Sequence, residues 1–159
     1  MTTIRRTGKK GPGSIRPRPL LPRPPRKARA DAPRPSATRD NSARTALLAA
    51  EAGLDKKASA IEIIDVTGKV DYADFLVLMT GSSDRHVAAI ADSVEELLGR
   101  NGIQSISMEG RTIASWVLID FVDIVVHVFQ KEARAVYDLD GLWMDASRLP
   151  VPSTTDADS

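Results

Sequence analysis

Residues 116–129, with the sequence WVLIDFVDIVVHVF, decide the fold. Two runs, Trp116–Phe121 and Ile124–Phe129, are rich in Val, Ile, Leu and aromatic residues, a composition typical of β-strands. Only Val122-Asp123 separates the runs, which is a gap of hairpin length. The stretch therefore predicts two paired strands. Because the gap contains neither Gly nor Asn, the register of the pair stays open.

The chain on either side of this stretch supplies further elements. Phe75–Thr80 is a continuous apolar run, which favours a strand covered on both faces. Ser42 and Ser83 are suitable N-caps for two helices, the second of which has apolar residues at helical spacing up to Leu98. The predicted order is α-β-β-α-β-β-β-α, over residues 42–54, 61–66, 75–80, 83–102, 105–108, 115–121, 124–129 and 131–134. This order predicts an α/β fold with one small mixed β-sheet flanked by helices.

Charge divides the chain into two parts. The first 44 residues contain 13 Lys/Arg and two acids, a net charge of +11, and the remaining 115 contain nine Lys/Arg and 19 acids, a net charge of −10. Eight prolines also lie within the first 44 residues. We therefore expect residues 1–41 to form a disordered, basic, Pro/Arg-rich arm, residues 42–149 to fold, and residues 150–159 to form a flexible acidic tail.

Two roles remain open for the basic arm. It either contacts RNA phosphates, with release of counterions, or acts as a solvated tail without a fixed partner. If the arm alone determined the function, the chain would be a general RNA-binding protein.

Composition argues against several classes of protein. The chain has no cysteine, which excludes disulfides and thiolate zinc sites, and its two histidines, His86 and His127, are far apart in sequence. The apolar runs are shorter than the roughly 20 residues of a membrane helix, and the first residues lack the apolar segment of a secretory signal. We expect a cytoplasmic protein with no membrane partner and no metal.

One turn suggests an enzyme. Gly81-Ser82 follows an apolar strand and precedes a helix, like the turn that binds a triphosphate in nucleotidyltransferases. That chemistry also needs neighbouring carboxylates to hold magnesium ions. Asp120 and Asp123 are three residues apart, whereas two carboxylates on one face of a strand should be two apart. The sequence therefore favours a helix-capping turn, with no catalytic residue and no cofactor, although a small magnesium-dependent nucleotidyltransferase stays an alternative.

The first strand of the pair offers a candidate binding surface. Trp116, Leu118 and Asp120 alternate along it, so their side chains should share one face. If the intervening residues and Phe121 face the core, an indole, a leucine and a carboxylate lie on a more open face, a combination typical of protein-binding hot spots. The alternative is that Trp116 lies under a helix.

Five segments together resemble the ribosomal silencing factor (Iojap-like) family, and the likeness runs from about Ala46 to Leu149. The block from Trp116 to Phe129 is the specific part, because its aromatic, acidic and His positions follow the family pattern together. The other segments are DYADFLV at 71–77, TGSSDRHV at 80–87, Glu109-Gly110 and YDLDGLW at 137–143.

The resemblance implies a nucleotidyltransferase-like fold without the catalytic acids and without activity. It implies a translation repressor that binds the large ribosomal subunit through its fourteenth protein and sterically blocks joining with the small subunit. Trp116, Leu118, Asp120 and Phe121 match the family segment that contributes to the ribosomal-protein contact. Phe121 stands where Tyr is frequent, and Val122 replaces a usual Gly. Some family members pair, so a homodimer of the free protein is compatible with the resemblance.

Overall fold

A six-stranded mixed sheet forms the centre of the computed structural model, which describes residues 36–151, with side chains from Arg39 onward. In chain order the elements are α1 (Ser36–Asp55), β1 (Ser59–Asp65), β2 (Phe75–Gly81), α2 (Asp84–Arg100), β3 (Ser107–Glu109), β4 (Trp116–Asp120), β5 (Ile124–Gln130), α3 (Lys131–Tyr137), α4 (Leu139–Leu142) and β6 (Arg148–Leu149). The predicted α/β class with a mixed sheet is confirmed.

The strands lie in the order β3-β4-β5-β2-β1-β6. β4 and β5 form the predicted antiparallel hairpin, in which Trp116 is opposite Phe129 and Asp120 is opposite Val125. β5 also pairs with β2 in parallel, and β2 is buried along its whole length, as its uninterrupted apolar run predicts. Within residues 36–151, no helix has both the length and the apolar character needed to cross a membrane.

Two apolar cores lie on opposite faces of the sheet, because successive side chains of a strand alternate between its faces. The long helices α1 and α2 cover one face, to which Val77 and Val117 contribute. The short helices α3 and α4 and the loop to β6, which we call the short-helix layer (residues 131–147), cover the other face. Leu76 and Leu118 belong to that second core, together with Leu139 and Ala146 of the layer itself.

The first helix begins earlier than the sequence indicates. It starts at Ser36, so Ser42 is not an N-cap, and that prediction is wrong. Ser42 is instead buried inside α1, and its hydroxyl donates to the Asp74 carboxylate at 2.8 Å. Arg39, one turn earlier, pairs with Asp65 and lies over the Phe75 ring, 5.4 Å from its centroid. These tertiary contacts stabilise a turn of helix that local propensity does not reveal.

Residues 36–41, assigned to the disordered arm by the sequence, are thus helical. The rest of the arm (1–35) and most of the acidic tail (152–159) lie outside the described residues, so their character stays a prediction. At the other end of the fold, the sequence missed α4 and β6, which have four and two residues. Elements of that length are too short to show a period in the sequence.

Candidate partner-binding face

Trp116 lies at the start of β4 beneath α3. Its ring centroid is 4.3 Å from that of Tyr137, 5.1 Å from Phe129 and 5.8 Å from His127. Its indole Nε1 donates to Nδ1 of His127 at 3.0 Å, so His127 is a buried structural histidine. The alternative in which a helix covers Trp116 is therefore the one observed, and the indole is only partly exposed.

The other three candidate residues are buried. Leu118, Asp120 and Phe121 are each 5% exposed or less. Phe121 faces the long-helix core, as predicted, and Leu118 belongs to the core beneath the short-helix layer. The expectation of an open face carrying Leu118 and Asp120 is wrong for this structure, because the chain returns after β5 and lays short helices over that side of the sheet.

Asp120 has a structural role in the β4–β5 turn. Its carboxylate accepts a hydrogen bond from the Val122 backbone N–H at 2.8 Å. The N–H of Asp123 donates to the carbonyl of Phe121 at 3.0 Å, which closes a three-residue turn around Val122. Val122 adopts a φ of +80°, a conformation that strongly disfavours a β-branched residue. The Asp120 carboxylate thus helps to hold a strained turn.

Substitution of Val122 by glycine is expected to raise the free energy of unfolding by about 1 kcal/mol. The change relieves strain worth about 1–3 kcal/mol and costs about 0.5–1 kcal/mol of added freedom in the unfolded chain. Val122→Ala is the control, because its Cβ keeps the strain. Urea denaturation measures both variants; if Val122→Gly has no higher free energy of unfolding than Val122→Ala, the turn is not strained.

Three exposed apolar side chains lie on the outer side of the short-helix layer. Val136, Leu142 and Met144 are 75%, 61% and 72% exposed. The sequence patterns considered above did not indicate these three residues. A signal was present in Leu142-Trp143-Met144, since three consecutive apolar residues after Gly141 cannot all be buried by so short a segment.

Hydrogen bonds from Arg134 attach the short-helix layer to the sheet. Its guanidinium binds both oxygens of Asp140, at 2.8 and 2.9 Å. Its remaining terminal nitrogen donates to the Ala60 carbonyl at 2.5 Å and to the Thr80 hydroxyl at 2.9 Å. The hydrogen bonds from Arg134 lower the pKa of the Asp140 carboxyl and outweigh the opposing effect of its partial burial.

The structure separates the Gly81-Ser82 turn from the two carboxylates that a nucleotide site would need. β2 and β5 run parallel, so this turn lies at one end of the pair, and Asp120 and Asp123 lie at the other, about 20 Å away. Glycine is needed at 81 for packing, because a Cβ there would lie 2.9 Å from a Val87 methyl carbon. No group of three or more potential metal ligands occurs within residues 36–151.

Two backbone donors around the start of α2, the N–H groups of Ser82 and His86, already have side-chain partners. Ser83 is the N-cap, as predicted, and its hydroxyl accepts from the His86 N–H at 3.0 Å. The Ser82 N–H donates to Nδ1 of His86 at 2.8 Å, and Nε2 of the ring donates to the Lys56 carbonyl at 2.7 Å. Although the Ser82 hydroxyl is 3.1 Å from Nδ1, the single lone pair of that nitrogen already accepts the backbone N–H. His86 therefore fixes the turn and is poorly placed to act as a base.

Known proteins resemble this chain along the same residues. Residues 39–159 match the family described as "ribosomal silencing factor during starvation". The chain is 44% identical over 99 residues to the ribosomal silencing factor of Bacillus subtilis, an alignment that covers 62% of this chain and 84% of that protein.

Solved structures agree with the fold. A crystal structure of a Chromobacterium violaceum protein aligns with a TM-score of 0.62 at 32% identity and covers 72% of this chain and 89% of that one. A structure from Bacillus halodurans aligns with a TM-score of 0.58 at 38% identity and covers 65% and 94% of the two chains. The family match includes every strand of the sheet and more than half of the residues, and the chain belongs to the ribosomal silencing factor family.

Proposed function

We propose that the protein is a cytoplasmic translation repressor that binds the large ribosomal subunit through its fourteenth protein and sterically blocks joining with the small subunit. The observation that carries this proposal is the family match over residues 39–159, which contain Trp116, Leu118, Asp120 and Phe121. A protein that blocks subunit joining sterically must bind the subunit and occupy space on it, but it need not catalyse a reaction. We therefore propose that the protein acts without catalysis. The satisfied donors around Ser82 and its distance from Asp120 support that view.

Charge supports a basic partner. Residues 36–151 contain 18 acids and 11 Lys/Arg, a net charge of −7. An acidic body and a basic ribosomal protein attract one another over a distance, which raises the association rate and selects the partner more than it tightens the complex. The family resemblance proposes Trp116, Leu118, Asp120 and Phe121 as contributors to the contact; Trp116 is the one with a partly exposed side chain, and the other three would act from within the fold. A homodimer of the free protein stays a prediction.

A subunit-joining experiment tests the proposed mechanism. Purified large and small subunits are mixed with increasing amounts of the protein before magnesium is raised, and joined ribosomes are measured on sucrose gradients. We expect the amount of joined ribosomes to decrease as the dose of the protein rises. Preassembled ribosomes should respond much less, because their small subunit already covers the face of the large subunit to which the protein would bind. Equal joining at all doses would contradict the steric block.

Deletion of residues 1–35 tests the basic arm. These residues contain 11 Lys/Arg and one acid, and the deletion leaves α1 with Arg39 and Ser42 intact. We expect weaker binding to large subunits and a flatter dependence on salt, by about 0.7–0.9 in logarithmic slope for each RNA phosphate that the arm neutralises. Complete failure to bind would instead favour general RNA binding by the arm, and an unchanged slope would make the arm a solvated tail.

A further inference from the structure

We infer that the protein contacts its ribosomal partner mainly through the outer side of the short-helix layer, at Val136, Leu142 and Met144, rather than through the side chains of β4. The inference rests on the proposed function and specifies its contact surface. The occupant is a protein surface of the large subunit with an apolar centre and a Lys/Arg rim.

The first observation that supports the inference is the exposure of these three apolar side chains. Five large apolar side chains are exposed among the described residues, and three of them lie within the nine positions from Val136 to Met144. Single exposed apolar residues are common, but a concentration of them in one short segment is typical of an interaction surface. By contrast, Leu118, Asp120 and Phe121 are almost fully buried and present little side-chain surface.

The second observation that supports the inference is the rigid backbone of the segment from Val136 to Met144. The Asp138 carboxylate accepts from the Gly141 N–H at 3.0 Å, and a Cβ on Gly141 would collide with that carboxylate. Arg148 donates to the carbonyls of Trp143 and Ala146, at 2.6 and 3.0 Å. These bonds, with those of Arg134, fix a backbone whose apolar side chains face solvent. A backbone that is already fixed loses little further conformational entropy when its side chains are covered by a partner.

The charged residues of the short-helix layer favour a basic protein as the occupant. The same layer has three exposed acids, Glu132, Asp138 and Asp145, against one exposed cation, Lys131. Its arginine, Arg134, is internally paired with Asp140. The exposed charged residues of the layer that carries Val136, Leu142 and Met144 are therefore mainly acidic. Two such surfaces would repel each other in a homodimer, while a basic ribosomal protein complements them.

Trp116 is a positioning residue under this arrangement. Its ring supports Tyr137 at the end of α3, the turn of helix that also carries Val136. Replacement of Trp116 would thus disturb the contact surface from below and also reduce stability.

The test compares full-length variants in binding to purified large subunits. A double variant, Leu142→Ser with Met144→Ser, is expected to bind at least tenfold more weakly, with a melting temperature close to that of the parent. The control is Ile106→Ser, since Ile106 is 55% exposed but lies before β3, outside the short-helix layer. It should bind within twofold of the parent. Val136→Ser is a second, independent variant and should also bind more weakly.

The outcomes separate the two proposals. If the parent protein does not bind large subunits, the proposed function fails and this inference fails with it. If the parent binds and both the double variant and Val136→Ser bind equally well, the function stands and the contact surface is wrong. A change in self-association without a change in subunit binding would also overturn the inference, because the occupant would then be a second copy of the chain.

Discussion

Replacement of Gly110 by alanine is expected to lower the free energy of unfolding by at least about 3 kcal/mol. Gly110 has a φ of +86°, which disfavours any residue with a Cβ. An added Cβ would also collide with the carbonyl oxygen of Trp116, a backbone atom that cannot move without shifting the start of β4. Strain and collision therefore act together at this position.

Gly102→Ala is the matched control, because Gly102 has a nearly identical φ of +80° but no atom within 4 Å of its added Cβ. It should cost only about 1 kcal/mol, from the positive φ alone. Urea denaturation of both variants at neutral pH gives the comparison. Equal losses at the two positions would show that the collision with Trp116 is absent.

Replacement of Arg134 by methionine is expected to cost about 2–3 kcal/mol of stability. Methionine keeps much of the apolar stem but removes four hydrogen bonds, two to Asp140 and one each to Ala60 and Thr80. The side chain of Arg134 is only 11% exposed, so water replaces these bonds incompletely. Arg111→Met is the control, because Arg111 and Asp92 pair on the open surface and their separation should change stability little.

Acid should reduce the effect of the Arg134 substitution. The folded protein holds the pKa of Asp140 below its ordinary value, so the pair contributes fully above the unfolded value of about 3.9. That contribution disappears as pH falls through the folded pKa. The stability difference between parent and Arg134→Met should therefore be larger at pH 7 than at pH 3 in urea denaturation. An equal difference at both pH values would mean that the Asp140 charge is not involved.

Local sequence patterns were sufficient to predict much of the sheet and the second helix. The runs on either side of Val122-Asp123 predicted the hairpin, and Ser83 predicted the start of α2, because neighbouring residues determine both features. The start of α1 could not be predicted in this way. It depends on the bond from Ser42 to Asp74, which joins residues 32 positions apart.

The candidate site shows the same limit. Alternation along β4 placed Trp116 and Leu118 on one face and Phe121 on the other, as observed. Which face is covered depends on the return of the chain through α3, and no pattern within β4 contains that information. The exposed Leu142 and Met144 escaped prediction because four-residue α4 is too short to show a helical period.

The most direct test of the central claim is co-sedimentation of the full-length protein with purified subunits at moderate salt. The protein should pellet with isolated large subunits in a saturable manner and should remain in the supernatant with small subunits. If it stays in the supernatant with large subunits, or pellets equally with both, it is not a factor that silences translation at the large subunit.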